Sequence, residues 1–296
     1  MSQKFFYGGQ AVIEGVMIRG KTAAVTAVRR PNGETVTQVV PLAGIYTGWI
    51  RRAPFLRGII VLIESMVLGI KSLMYSASVS LEEEIKEEIS AKAIWGTIIF
   101  SFALAIVLFL LVPLFLTKLL DQYIDSALMF NLVEGLIRLA IFLGYLVAVG
   151  MVPDIKRVFR YHGAEHKAVN AYEAGVPMEV EAIKKYGTVH VRCGTSFLFV
   201  VLVIAIIVFS FIGRPALWVM IASRVLLIPV IAAIGYEVVH FGARHAHNPL
   251  VRAILAPGRW LQGLTAKEPA DTQLEVAIVA LKKAVEIDSA EAAQSS

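Results

Sequence analysis

Residues 94–117, IWGTIIFSFALAIVLFLLVPLFLT, carry no charged side chain. A helix crosses a bilayer with about 20 apolar residues, so this run is long enough to span one. Three further runs have similar character: about Met129 to Val152, Ser196 to Gly213, and about Pro215 to Tyr236. The second carries Glu134 and Arg138 near its start, and the last is interrupted by Arg224 and Pro229. The composition agrees. Hydrophobic residues are 57% and charged residues 17% of the chain, against roughly 45–50% and 25% in soluble domains. Mean hydropathy is +0.70. The fold class expected is therefore an α-helical integral membrane protein with about four transmembrane helices.

The segment from Pro54 to Ser76 is apolar but carries Arg57, Glu64 and Lys71 at intervals of seven residues, nearly two helical turns. One stripe of charge predicts an amphipathic helix on the membrane surface. The sharper alternative is a buried helix whose charges face a polar cavity or partner.

Basic residues set the orientation. They are dense in the N-terminal part and in the loop after the second run (Lys156, Arg157, Arg160, Lys167, Lys184, Lys185, Arg192). The link between the first two runs has only Lys118, with Asp121 and Asp125. A multi-pass protein of the inner (cell) membrane with both termini in the cytoplasm fits this asymmetry. Orientation then accounts for the pI of about 9.3, and no nucleic-acid-binding signature is present. The start, MSQKFFYGG, lacks the apolar core of a signal peptide. The single Cys193 excludes an intramolecular disulfide and, on this topology, faces a reducing compartment where a thiol remains a ligand.

Six segments follow. Residues 1–53 form a small β-rich cytoplasmic unit, and 54–93 hold the amphipathic helix and an acidic linker helix. Residues 94–152 carry the first two spans, 153–195 a cytoplasmic loop rich in His, Glu and Cys, and 196–236 the other two spans. Residues 237–296 form a cytoplasmic C-terminal segment with an amphipathic helix over Pro269 to Ala290. In the first unit, Thr22–Arg30 and Glu34–Leu42 flank Pro31-Asn32-Gly33, a hairpin signal. The Gly-rich stretch from Gly8 to Gly20 reads as a strand with bulges, or as backbone that brings Glu14 and Arg19 to the mouth of a site. In the C-terminal helix, Thr272-x-x-Glu275 reads as a capping box ahead of an apolar stripe, and the last Ser and Ala residues as disordered.

Chemistry concentrates in His162-Gly163-Ala164-Glu165-His166, within a helix expected from Asp154 to Ala174. H-x-x-E-H places two imidazoles on one helical face with a carboxylate beside them, the arrangement in which both His bind zinc and the Glu activates water. Glu173 shares the face, but it lies about 10 Å further along the axis, too far for the same ion. Further ligands are therefore expected from His190 and Cys193, with Arg192 and Glu173 in support. Imidazoles with a thiolate favour Zn²⁺ over Mg²⁺ or Ca²⁺. An open coordination position would make the site catalytic, with Glu165 shuttling the proton. A closed shell would make it structural, with Glu165 orienting an imidazole. His240, His245 and His247 form a second, weaker group. Arg224 in the last run is expected to pair with Glu134, in competition with Arg138.

Four stretches, GGQAVIEGVMIRG (8–20), RYHGAEHKAVNAYE (160–173), HVRCGTSF (190–197) and PGRWLQGLTAKEPADTQLEVAIVAL (257–281), resemble the bacterial domain-of-unknown-function 1385 family, the YqhQ-like membrane proteins. The resemblance implies an integral membrane protein with a cytoplasmic polar part, of a kind often labelled metal-dependent on motifs such as HGAEH. Matching polar positions are Gln10, Glu14, Arg19, His162, Glu165, His166, Glu173, His190, Arg192 and Cys193. Three functions compete. The first is a zinc-dependent hydrolase at the cytoplasmic membrane surface. The second is a non-enzymatic scaffold or assembly factor stapled by the polar or metal cluster. The third is an oligomeric small-solute or metal transporter using Glu134, Arg138 and Arg224. The partners expected are the lipid bilayer and a second copy or another membrane protein.

Overall fold

A computed structural model describes residues 5–46, 48–49, 53–80, 91–245 and 247–294. Four antiparallel strands, β1 (Gly8–Val12), β2 (Gly15–Arg19), β3 (Ala23–Arg29) and β4 (Thr35–Pro41), form a meander in the order β1-β2-β3-β4. The expected hairpin closes at Gly33, whose φ of 89° suits a residue without Cβ, while the Glu34 N–H donates to Asn32 Oδ1. The Gly-rich stretch is two strands instead of one bulged strand. The chain reverses at Ile13-Glu14, with Glu14 in the left-handed region. A Cβ at Gly15 would lie 2.2 Å from the Ala27 carbonyl oxygen, so only glycine lets β2 lie against β3 there.

The helices follow: α1 (Leu56–Ser80), α2 (Ala91–Ile106), a π-helical turn at Val107–Leu111, α3 (Val112–Leu119), α4 (Ala127–Gly150), α5 (Pro153–Glu173) and the short α6 (Val180–Ile183). Then come α7 (Gly194–Ile212), α8 (Leu217–Leu226), α9 (Ile228–Arg244), α10 (Pro249–Thr265) and α11 (Asp271–Gln294). Most of the acidic linker expected after α1 lies outside the described residues.

Strands β2 and β3 are buried on both faces, which explains their nearly unbroken apolar sequence. On one side Val16, Ile18, Val25 and Ala27 pack with Ala164 and Ala168 of α5 and with Leu274, Ala277 and Leu281 of α11. On the other side Val28 meets Val79 of α1, Met17 and Ala24 meet Leu68, and Thr26 hydrogen-bonds Ser72. The sheet therefore completes its core with helices far along the chain. Asp288 of α11 ties the layers together, accepting from the Tyr7 hydroxyl and from the backbone N–H of Lys21 and Thr22. Helix α11 starts earlier than the capping box suggested. Gln273 accepts from the Ala270 N–H, half of the same device two residues earlier, and Glu275 instead meets Arg29. Its Ala- and Glu-rich end stays helical to Gln294 where disorder was expected.

Among the described residues, four helices are long and apolar enough to cross a membrane: α1, the continuous Trp95–Leu119, α4 and α7. The pair α8 and α9 also qualifies as one element bent by 46°, with Pro229 in the first turn of α9. Large apolar side chains such as Phe100, Leu104 and Phe211 lie exposed on these helices. The expectation of a surface helix at 54–76 needs correction. Helix α1 is 25 residues long, and two of its three charges turn inward. Arg57 Nε donates to Glu237 of α9 at 2.7 Å, and Glu64, 2% exposed, receives Arg19 Nε at 3.1 Å. The partners lie 180 and 45 residues away, so the stripe of charge could not reveal them.

Between the apolar helices lies a buried ionic cluster. Arg224 is 0% exposed, and its Nε donates to Glu134 Oε1 at 3.0 Å and its Nη2 to Asn131 Oδ1 at 3.1 Å. Arg138 also binds Glu134, so the two guanidiniums share one carboxylate. Arg138 gains a further acceptor from the break in the helix before it. Pro113 has no N–H to offer the carbonyl four residues back, and Arg138 Nε donates to that carbonyl, Phe109 O, at 2.8 Å. The ring of Phe209 lies against both guanidiniums. Glu134→Gln leaves two buried cations facing a neutral amide. Removing one partner of such a cluster costs about 3–5 kcal/mol. We expect a clearly lowered thermal unfolding temperature in detergent; an unchanged one would remove the cluster as a structural anchor.

Candidate metal centre

Helix α5 begins at Pro153, as the Pro signal suggested, and ends at Glu173 ahead of Gly175, which has φ 75°. One side of α5 packs on the sheet. Its next face carries His162 and His166, whose rings lie 4.4 Å apart. Gly163 between them has a packing role. A Cβ there would lie 1.9 Å from the Lys267 carbonyl oxygen, so glycine lets the segment joining α10 to α11 cross directly over α5. The Lys267 N–H completes the crossing by donating to Phe159 O at 2.9 Å.

That crossing orients the first imidazole. A backbone carbonyl can only accept, so Thr265 O, 2.9 Å from His162 Nδ1, requires the proton on Nδ1 and leaves an Nε2 lone pair. Thr188 O does the same for His166. Backbone acceptors that fix the tautomer of an imidazole are the usual outer shell of a metal-binding His. Cys193, the N-cap of α7, brings its sulfur to 3.3 Å from His162 Nε2. One donor atom from each of His162, His166 and Cys193 falls within 4.8 Å of the others. Tetrahedral zinc with N and S ligands separates its ligand atoms by roughly 3.3–3.8 Å; the His162–Cys193 pair has that spacing, and the donor types suit the ion, while the three-atom group is looser, spanning up to 4.8 Å.

Glu165, 3% exposed, flanks the group. Its Oε2 lies 3.6 Å from His166 Nε2, and its Oε1 accepts the Gly9 N–H of β1 at 3.0 Å. Gly9 itself is confined, since a Cβ would lie 1.8 Å from Met17 O.

His190 stands beside the group, with its ring 5.6 Å from that of His166. Its Nε2 faces Arg192 at 3.3 Å and Glu173 at 3.9 Å, so the structure brings three of the four expected ligands together and turns the fourth to this pair. Glu173 and Arg192 also bind each other, and Arg192 covers the Phe6 ring. Burial acts to raise the Glu173 carboxyl, but contact with His190 and the charge of Arg192 outweigh it and hold Glu173 below the ordinary carboxylate range. Glu14 and Arg19 are engaged elsewhere. Glu14 meets Arg157 at 2.7 Å and the Tyr161 hydroxyl at 3.3 Å, and Arg19 pairs with Glu64. His245 and His247 lie beyond α9 with rings 6.4 Å apart, and His240 stacks on Tyr236.

Several residues that build the site were not singled out from sequence. Thr188, Thr265 and Gly9 act through main-chain atoms, which leave no side-chain signal. Gln262 is buried and holds the ligand loop, accepting the His190 N–H and donating to His190 O and Ser196 Oγ. Only its place in a resembling segment pointed to it. Beside the group opens a cavity of about 680 Å³, lined among others by His162, Arg192, Thr195 and Thr265.

The lowered Glu173 pKa has a sign that can be tested. A depressed carboxylate adds stability above its unfolded pKa, near the ordinary 4.5, and loses it as pH falls through the lower folded value. The stability gap between wild type and Glu173→Gln should therefore be open at neutral pH and close below about pH 4.5. Thermal unfolding across pH checks it, and a gap that widens on acidification contradicts the assignment.

The family described as "Protein of unknown function (DUF1385)" matches residues 53–287, and the chain belongs to that family. It is 36% identical to "Uncharacterized protein YqhQ" of Bacillus subtilis (strain 168), over 96% of this chain and 93% of the relative. No solved structure matches.

Proposed function

We propose that the protein is a zinc-dependent hydrolase of the inner membrane, with its site at the cytoplasmic surface. The observation that supports this reading is the paired orientation of His162 and His166. Each Nδ1–H is spent on a backbone carbonyl, the freed Nε2 of His162 faces Cys193, and that of His166 lies beside the buried Glu165 carboxylate. Packing supports the orientation too. The C-terminal half of α1 lies under the sheet, so the crossings fall to Trp95–Leu119, α4, α7 and the bent pair. Four crossings keep the sheet, α5 and α11 on one side, the side rich in Lys and Arg.

When bound, the ion would supply Lewis-acid activation of water, lowering its pKa toward about 7. His162, His166 and Cys193 would hold the ion, beside the cavity that His162 lines. Glu165 would take the proton from water and return it to the leaving group. The hydrogen bond from Gly9 would keep that carboxylate in place without consuming its second oxygen. Glu173 and Arg192 would steady His190 at the rim.

A scaffold reading draws support from one observation: Glu165 also joins α5 to the sheet, as a staple would. The two readings separate cleanly. Elemental mass spectrometry of detergent-purified protein should find near-stoichiometric zinc in wild type and none in a His162→Ala/His166→Ala double variant. Glu165→Gln should keep the zinc and lose hydrolysis, because the metal donors stay and the base does not. Metal-free, well-folded wild type would end the hydrolase reading, and a Glu165→Gln variant with full cellular function would favour the staple.

A further inference from the structure

The cavity beside the three donor atoms is built unlike a pocket for a water-borne solute. Its volume, about 680 Å³, lies within the range of roughly 300–1,000 Å³ typical of small-molecule sites. Its walls come mainly from apolar helices: Val61 of α1, Phe197 and Leu198 of α7, and Val239 and Ala243 of α9. The polar lining includes His162, Arg192, Thr195 and residues of β1. His240 also lines it, and its Nε2 is buried without a hydrogen-bond partner, a polar group left for a ligand to satisfy.

We propose that this cavity takes one acyl chain of a membrane glycerophospholipid, with the ester carbonyl at the His162 end. Three features select a lipid. The hydrocarbon wall belongs to elements of membrane character, so a chain can enter without passing through water. Arg192 at the polar end, although paired with Glu173, brings a guanidinium of the kind that suits an anionic headgroup. A hydrocarbon chain with a polar end matches a cavity whose wall is mostly apolar but which also holds His162, Arg192, Thr195 and His240. The binding claim stands on the cavity; the fate of the ester rests on the hydrolase reading above. On that reading the oxygen of water bonds to the acyl carbon and the bond from that carbon to the glycerol oxygen breaks. The proton taken by Glu165 passes to the departing glycerol oxygen, giving a fatty acid and a lysolipid.

The test uses the full chain in vesicles of phosphatidylethanolamine and phosphatidylglycerol containing a phosphatidylglycerol with a diazirine on one acyl chain. After irradiation, adducts are mapped by mass spectrometry. We expect adducts on peptides covering 58–65, 194–198 and 236–243. Ala243→Trp, which fills the cavity, should reduce them at least about tenfold, a loss of about 1.4 kcal/mol of binding. Adducts on the Trp95–Leu119 helix serve as the control for bulk lipid and should not change. If Ala243→Trp fails to fold, Val61→Trp takes its place. Adducts confined to the control helix, or cavity adducts that persist in a folded filled variant, overturn the proposal. Zinc is measured on the same samples. Cavity adducts without zinc keep the lipid site and sink the hydrolase. Zinc without cavity adducts sinks the lipid and leaves a hydrolase for a different substrate, such as a peptide.

Discussion

Everything near the candidate centre depends on one close approach, the passage of the α10–α11 connection over α5 at Gly163. There the chain turns from the apolar helices towards the sheet, and it does so against the backbone of the helix that carries both imidazoles. The crossing sets the position of Thr265, whose carbonyl fixes His162, and it delivers α11 to the sheet face that would otherwise lie open. A side chain at 163 would have to push these layers apart, so the glycine inside the H-x-x-E-H motif is explained by packing before any chemistry is invoked.

The second organising feature is electrostatic and lies at the other end of the fold. Glu134 is shared by Arg138 and Arg224, and Arg138 is further steadied by a carbonyl that Pro113 leaves free. A lone charge in such surroundings is costly, whereas a cluster in which each member has several partners fixes how the π-helical turn at Val107–Leu111, α4 and α8 meet. The same logic governs α1, whose Arg57 and Glu64 are each answered by an opposite charge from another element.

Local chemistry made much of this legible. Pro31-Asn32-Gly33 announced its hairpin, Pro153 and Gly175 bracketed α5, and long apolar runs with few or no charges marked the apolar helices. Cys193 was reachable as a partner for His162 because both residues flank apolar runs that turned out to pack together through α4 and α7. The misses share a cause. The fate of the α1 charges, the turning of His190 towards Glu173, and the role of Gln262 depend on residues distant in sequence. The carbonyls of Thr188 and Thr265 are chemically identical to every other carbonyl in the chain. A one-dimensional pattern reports which groups are available, and their pairing is decided by the fold.

The N–H of Gly9 offers a last consequence. The stretch matched by the family model begins at residue 53, yet a strand upstream of that boundary holds the carboxylate of Glu165. The contact is made by main chain, so the donor itself carries no side-chain signal, while the space at Gly9, where a Cβ would lie 1.8 Å from Met17 O, admits only glycine. The boundary at residue 53 therefore separates the strand that anchors Glu165 from the helix that carries it. A fragment trimmed to residues 53–287 would keep every candidate metal donor while stripping the neighbouring acid of its anchor.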